Sequence, residues 1–295
     1  MEPWLRLDTL PELRDPVVVV AFAGWNDAAS AATNAARFVV RRLGARRFAT
    51  LDPEPFFDFR EHRPTVRLNV TGQREIIWPE TEFFYARNPL GPHDVVVGIG
   101  AEPDLRWRTY SRGLVELFQA LGTALFISLG ALLADVPHTR PVRVTGTAAD
   151  PDTAARLRLT TSRYEGPTGI VGVLTDAVRR AGLPAMSLWA NVPHYITTAM
   201  NPPATMALLE RLQEPLGLTF DLSDLQRASE RFVREVNAAI ATNPEVQAYV
   251  SQLEANLDQA QAAESEASLP PAKDILLDIE EFLRRRQRPD RNEEP

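Results

Sequence analysis

The most regular feature of the sequence is an apolar run, Val17 to Phe22, that gives way to apolar positions at helical spacing. Six consecutive apolar, mostly β-branched residues are too few to cross a membrane. They suit a strand covered on both faces. Ala23 and Gly24 break the run, Trp25, Asn26 and Asp27 follow, and from Ala28 the residues Ala28, Ala31, Ala32, Ala35, Phe38, Val39 and Leu43 share one helical face. This strand–turn–helix is the opening of a βαβ crossover. The same alternation predicts further buried strands at Asp94–Gly100, Ala124–Leu129 and Ala185–Ala190, with weaker ones at Arg46–Leu51 and Val142–Thr145. Helical spacing predicts helices over Trp107–Leu121, Asp150–Leu157 and Ile170–Ala181, and from Pro202 or Pro203 to Leu216. Short strands at Val66–Val70, Glu75–Trp78 and Glu82–Ala86 read as a meander, so the sheet is expected to be mixed.

From Asp221 onward only helical spacing remains. Leu222, Leu225, Ser229, Phe232, Val236 and Ile240 form one stripe, and Val246, Val250, Leu253 and Leu257 a second behind Asn243-Pro244. A third helix is expected after Pro270-Pro271, and a disordered tail from Arg288 to Pro295. The organisation predicted is therefore an α/β domain over 1–218 and a helical extension over 219–295.

Charge sharpens that division. The net charge is −7, and residues 219–295 carry 9 basic against 16 acidic side chains, which places the whole excess in the extension. An acidic chain without a basic stripe is not expected to bind nucleic acid. With no cysteine in 295 residues, disulfides, thiol catalysis and cysteine-held metals are excluded. Lys273 is the only lysine, so no Walker-type phosphate loop exists. The amino terminus lacks a basic segment followed by an apolar one, and no apolar run reaches ~18 residues, so a cytoplasmic protein without a membrane span is expected.

In α/β folds ligands gather where strands end at their carboxyl edge. That rule selects Trp25, Asn26 and Asp27, with Asp27 serving either as helix cap or as ligand contact. It also selects Glu102, Asp104, Arg106 and Arg108 after the 94–100 strand, with Arg106 or Arg108 as an anion clamp or the group as a structural Arg–carboxylate network. Asp135-Val-Pro-His138 and Asn191-Val-Pro-His194 echo one another, and each follows a buried strand. His138 and His194 are loop anchors, paired metal ligands or an acid–base couple, with Asp135 or Glu165 orienting one of them. Neither histidine has local metal-ligand spacing, and no metal or cofactor is expected. Gly98-Ile-Gly100 lacks the third glycine of a dinucleotide fingerprint.

The blocks GWNDAASAAT at 24–33, EPDLRWRTY at 102–110, LGALLADVPHTRPVRVTG at 129–146, YEGPTGIVGVL at 164–174 and SLWANVPHY at 187–195 resemble the proteasome assembly chaperone family in its actinobacterial branch. The resemblance covers about 16–218. It implies a three-layer α/β/α sandwich with a mixed, mostly parallel sheet of the phosphorylase/hydrolase-like kind. It also implies homo-oligomers, trimers among them, and proteasome subunits as partners. The family supplies no catalytic residues to transfer. Eukaryotic members dock through a terminal hydrophobic-Tyr-any triplet. Here Asn292-Glu293-Glu294-Pro295 stands in that place, so docking by that route is not expected. The function implied is a non-enzymatic scaffold or chaperone-like protein; the alternative is a small-molecule-binding or hydrolase/phosphorylase-like protein using the polar sheet edge.

Overall fold

A computed structural model describes residues 2–148, 151–157, 159–161 and 165–268. The expected helix after Pro270-Pro271, the tail from Arg288, the Asp150 cap and Tyr164 lie outside the described residues. In chain order the strands are β1 Leu5–Leu7, β2 Val17–Ala23, β3 Arg46–Leu51, β4 Thr65–Leu68, β5 Arg74–Ile77, β6 Thr81–Ala86, β7 Val95–Ala101, β8 Leu125–Ala134, β9 Val144–Thr147, β10 Thr160–Thr161 and β11 Ala185–Pro193. The helices are α1 Ala31–Leu43, α2 Trp107–Ala120, α3 Pro151–Arg156, α4 Ile170–Arg180, α5 Pro202–Leu216, α6 Ser223–Ile240 and α7 Pro244–Ser268.

Nine strands form one sheet in the order β1-β3-β6-β7-β2-β8-β11-β9-β10. The four central strands, β7-β2-β8-β11, are mutually parallel. Antiparallel pairings flank them through β6 on one side and β9 on the other. The all-apolar β2 sits at the centre because both of its faces are covered. Val17, Val19 and Ala21 join the core under α1 and α5, whereas Val18, Val20 and Phe22 join the core under α2 and α4. The result is a three-layer α/β/α sandwich.

The chain divides into two compact units, Met1–Asn243 and Pro244–Pro295. In the first, α6 packs against α5. In the second, α7 is the described element, and none of its helices nor any other among the described residues is long and apolar enough to cross a membrane.

Three expectations need correction. The helix after Asp27 starts at Ala31, behind a 3-10 turn at Ala28–Ser30 in which Ala29 and Ser30 are both left-handed. The cause lies upstream. Asn26 accepts a hydrogen bond from the Ala131 amide at 2.8 Å and Asp27 bridges to Ala131, so the chain stays extended along β8 before it can coil. The 66–70 and 75–78 strands do not enter the main sheet. They pair with each other as an exposed hairpin, β4–β5, and only the 82–86 segment joins the sheet, as β6. Finally, β8 runs on to Ala134 and β11 to Pro193, so the sheet continues through Gly130 and Asn191, where loops were expected.

Candidate functional site

The two Val-Pro-His corners emerge on the same rim. Strands β8 and β11 are parallel and in register to their last pair, Ala134 with Pro193. His194 Nδ1 lies 3.1 Å from Asp135 Oδ1 and 3.3 Å from the Ala134 carbonyl. His138 turns away from it. Its amide donates to Tyr195 Oη at 2.9 Å, its Nδ1 is 2.7 Å from the same oxygen, and its Nε2 is 2.9 Å from Asn237 Oδ1 on α6. One tautomer, with the ring hydrogen on Nε2, satisfies all three contacts. His138 therefore ties the β8 corner to α6.

Asp27 is a structural acceptor. Its Oδ1 takes the Ala32 amide at 2.7 Å and the Thr33 amide at 3.3 Å, and its Oδ2 takes the Thr33 hydroxyl at 2.5 Å. It thus caps α1 across the left-handed turn, meeting orphan donors that a cap adjacent to the helix would otherwise meet. Burial pushes the Asp27 carboxyl above its ordinary value, against the lowering effect of the Thr33 and Ala32 hydrogen bonds. Such burial is tolerated because every donor in reach is aimed at the group.

Glu102 does the same for α4. Its Oε1 accepts the Ile170 amide at 2.8 Å and the Asn26 side-chain amide at 2.7 Å. Asn26 is 1% exposed, and its own Oδ1 has no partner. The chain can approach this closely because two positions carry no side chain. A Cβ at Gly169 would stand 2.2 Å from Asn26 Nδ2, and Gly24, at φ +133°, lies against Glu102. Asp104 accepts from the Asp58 amide at 2.8 Å and sits 2.9 Å from His62 Nδ1, which pins the 58–62 loop. Arg106, left-handed at φ 55°, opens α2. Arg106 and Arg108 are exposed, and so is Glu165. Among the described residues neither arginine forms an ion pair.

At this rim lies a cavity of about 840 Å³. Of the residues expected from sequence, Trp25, Asn26 and His194 line it; Asp27, Glu102, Asp104, Arg106, Arg108, Asp135, His138 and Glu165 do not. Thr168, in the turn before α4, lines it too, and part of the remaining wall was not foreseen: Thr145, Gly146 and Thr147 on β9 and Ser187 and Trp189 on β11. One signal was available. Trp189 and Ser187 interrupt the apolar strand on the same face. Ser187 Oγ holds Thr147 through its amide at 3.2 Å and lies 3.0 Å from its hydroxyl. Among the described residues no cluster of three His, Cys, Asp or Glu side chains could hold a metal ion.

Comparison with known proteins agrees with this architecture. The PAC2 family model matches residues 21–240. A PAC2 family protein from Streptomyces avermitilis is 44% identical at a TM-score of 0.73, covering 80% of this chain and 100% of that one. The Mycobacterium tuberculosis proteasome-assembly chaperone homologue Rv2125 is 42% identical at a TM-score of 0.73, covering 79% of this chain and 99% of that one. The Pyrococcus furiosus archaeal proteasome activator PbaB shares the fold at 18% identity and a TM-score of 0.63, covering 80% of this chain and 97% of that one. Comparison with curated proteins gives no match.

Proposed function

The chain belongs to the PAC2 family, and from that premise we propose that it is a non-enzymatic, self-associating scaffold of the cytoplasm that assists proteasome subunits. The observation that carries this reading is the use of the polar rim. Asp27 caps α1, Glu102 caps α4, Asp104 pins a loop and His138 ties down α6. Groups held this way brace a surface; a general acid or base must instead face a substrate with a proton to move. The 42% identity to a proteasome-assembly chaperone homologue supports the choice of client.

A scaffold also needs surface that its own core does not use. Val66, Leu68, Ile76 and Trp78 on β4–β5 and just beyond are large, apolar and exposed. Val66 and Ile76 are cross-strand partners on one face. An isolated two-stranded hairpin is marginal in water, and among the described residues neither outer edge of this one pairs with another strand. Face-to-face packing against the same hairpin of a second copy of this chain would cover those side chains with a self-complementary partner.

The test is affinity purification of the chain from a proteasome-bearing host, with native gels of proteasome assembly intermediates after its deletion. Co-purifying 20S subunits, or a shift in the intermediates, is expected. A host that shows neither effect removes the reading.

A further inference from the structure

We propose that the rim cavity is a binding site for an uncharged, hydroxylated ring compound, the chemistry shared by neutral saccharides and nucleosides. The inference goes beyond the scaffold reading and does not depend on it. A cavity of about 840 Å³ falls within the ~300–1,000 Å³ that small-molecule sites occupy. It opens at the carboxyl ends of parallel strands, where backbone groups are free to meet a ligand.

The lining decides the class. Two indoles bound it. Trp25 stands 65% exposed at its edge, an apolar face left in water unless something covers it. Trp189 lies against the bare backbone of β8, where a Cβ on Gly130 would come within 2.4 Å of its ring. Trp189 is thereby held as a fixed platform with part of its surface toward the cavity. Beside the indoles the wall presents the hydroxyl residues Thr147, Ser187 and Thr168 and the apolar Leu132, Leu133 and Ile196. Aromatic faces take flat or ring-faced ligands, and hydroxyls can both donate and accept, so together they suit a ring that carries hydroxyl groups.

Charge is excluded by the same wall. Among the described residues His194 is the only ionisable side chain that lines the cavity. The first amide of α4 is closed to an anion, because Ile170 already donates it to the Glu102 carboxylate. Apart from His194, which already leans on Asp135, the described wall offers a phosphate or carboxylate no cationic side chain. An amine would meet no carboxylate, since among the described residues no Asp or Glu side chain lines the cavity. Burying an unpaired charge is far costlier than burying a hydroxyl that finds a partner.

The test uses the full-length chain and four probes, uridine, adenosine, glucose and maltose, each beside a phosphorylated counterpart. Tryptophan fluorescence and calorimetric titration are the readouts. Saturable binding of at least one neutral probe is expected, with its phosphorylated form weaker by about tenfold or more. Trp25→Ala removes an exposed side chain, so the variant folds, and it is expected to weaken that probe about tenfold. Thr168→Val, also at an exposed position, should weaken it less. Which of the four binds separates a saccharide from a nucleoside. The proposal is overturned if no neutral probe binds at ~10 mM, well above the ~1 mM of weak small-molecule sites. It is equally overturned if phosphorylated probes bind as well as neutral ones, or if Trp25→Ala leaves binding unchanged.

Discussion

Replacing Glu102 with alanine tests whether the rim is braced or poised. In the wild type one carboxylate oxygen takes both the first amide of α4 and the side-chain amide of Asn26. Removing it leaves the Ile170 amide without its cap, at a cost of about 1 kcal/mol. It also strands the Asn26 amide. That side chain is 1% exposed and its oxygen is already without a partner, so loss of the nitrogen's acceptor should cost a further ~2 kcal/mol. The sum, about 3 kcal/mol, corresponds to a Tm lower by about 6 °C at the ~2 °C per kcal/mol that suits a large unit; the first unit has 243 residues. Glu102→Gln keeps an acceptor oxygen and should lose about a third as much. Adding Asn26→Ala to Glu102→Ala should cost less than the two single changes together, because the stranded amide is gone. Thermal unfolding by calorimetry and near-UV circular dichroism reads the four variants beside the wild type. If Glu102→Ala melts within ~1 °C of the wild type, less than 0.5 kcal/mol of cap and buried hydrogen bond was at stake, and the bracing argument fails. It fails too if the glutamine variant is as unstable as the alanine one.

Other consequences follow from the same contacts. Asp27 has a carboxyl raised by burial, so its contribution to stability is complete below the ordinary carboxylate value and declines as pH rises through the raised one. The stability of the wild type relative to Asp27→Asn, measured by urea unfolding from pH 3 to 7, should therefore fall with pH across that window; a difference that grows with pH refutes the assignment. Gly146→Ala should lower stability by about 3 kcal/mol or prevent folding, since its Cβ would stand 1.9 Å from the Ser187 carbonyl on β11; soluble yield and melting temperature show it. Val66→Ser with Ile76→Ser should leave Tm within ~1 °C, as expected for exposed positions, yet lower the molar mass seen by light scattering. An unchanged mass argues against the hairpin as the contact between copies.

Much of the fold was legible because β2 is apolar at every position. A strand with Val17, Val19 and Ala21 on one face and Val18, Val20 and Phe22 on the other has to be buried twice, which requires helices on both sides. The same rule placed α2 and α4. Where pattern failed, long-range pairing had decided the outcome. Gly130 and Asn191 read as loop residues, yet nine consecutive pairings between β8 and β11 carry the strands through them. Val66 and Ile76 alternate like sheet residues, but their partners are each other. Asp27 was legible as a cap from its position beside the helix. Glu102 was not, because the helix it caps begins 68 residues later, and no local pattern spans that distance. The hydroxyl wall was missed for a further reason. The rule about strand ends speaks of parallel strands, and β9, which supplies Thr145 and Thr147, runs antiparallel to β11.

The division of labour at the rim bears on turnover as well as binding. Nucleophilic hydroxyls work beside a base that takes their proton. Ser187 is the best-placed hydroxyl in the cavity, yet its hydrogen bonds run to Thr147, amide and hydroxyl alike. Among the described residues no imidazole or carboxylate is hydrogen-bonded to it. His194 lines the same cavity but leans on Asp135 and the Ala134 carbonyl. The carboxylate best able to serve as a second titratable group, Glu102, is committed to a helix start. A neutral molecule in such a place is held by stacking and hydroxyl contacts, with no proton relay ready to act on it. Binding and turnover can be separated by experiment. A ligand whose affinity depends on Trp25 but which is recovered unchanged after prolonged incubation fits a braced, presenting surface. Multiple turnovers abolished by His194→Ala, with binding through Trp25 intact, would mean that the rim does chemistry after all.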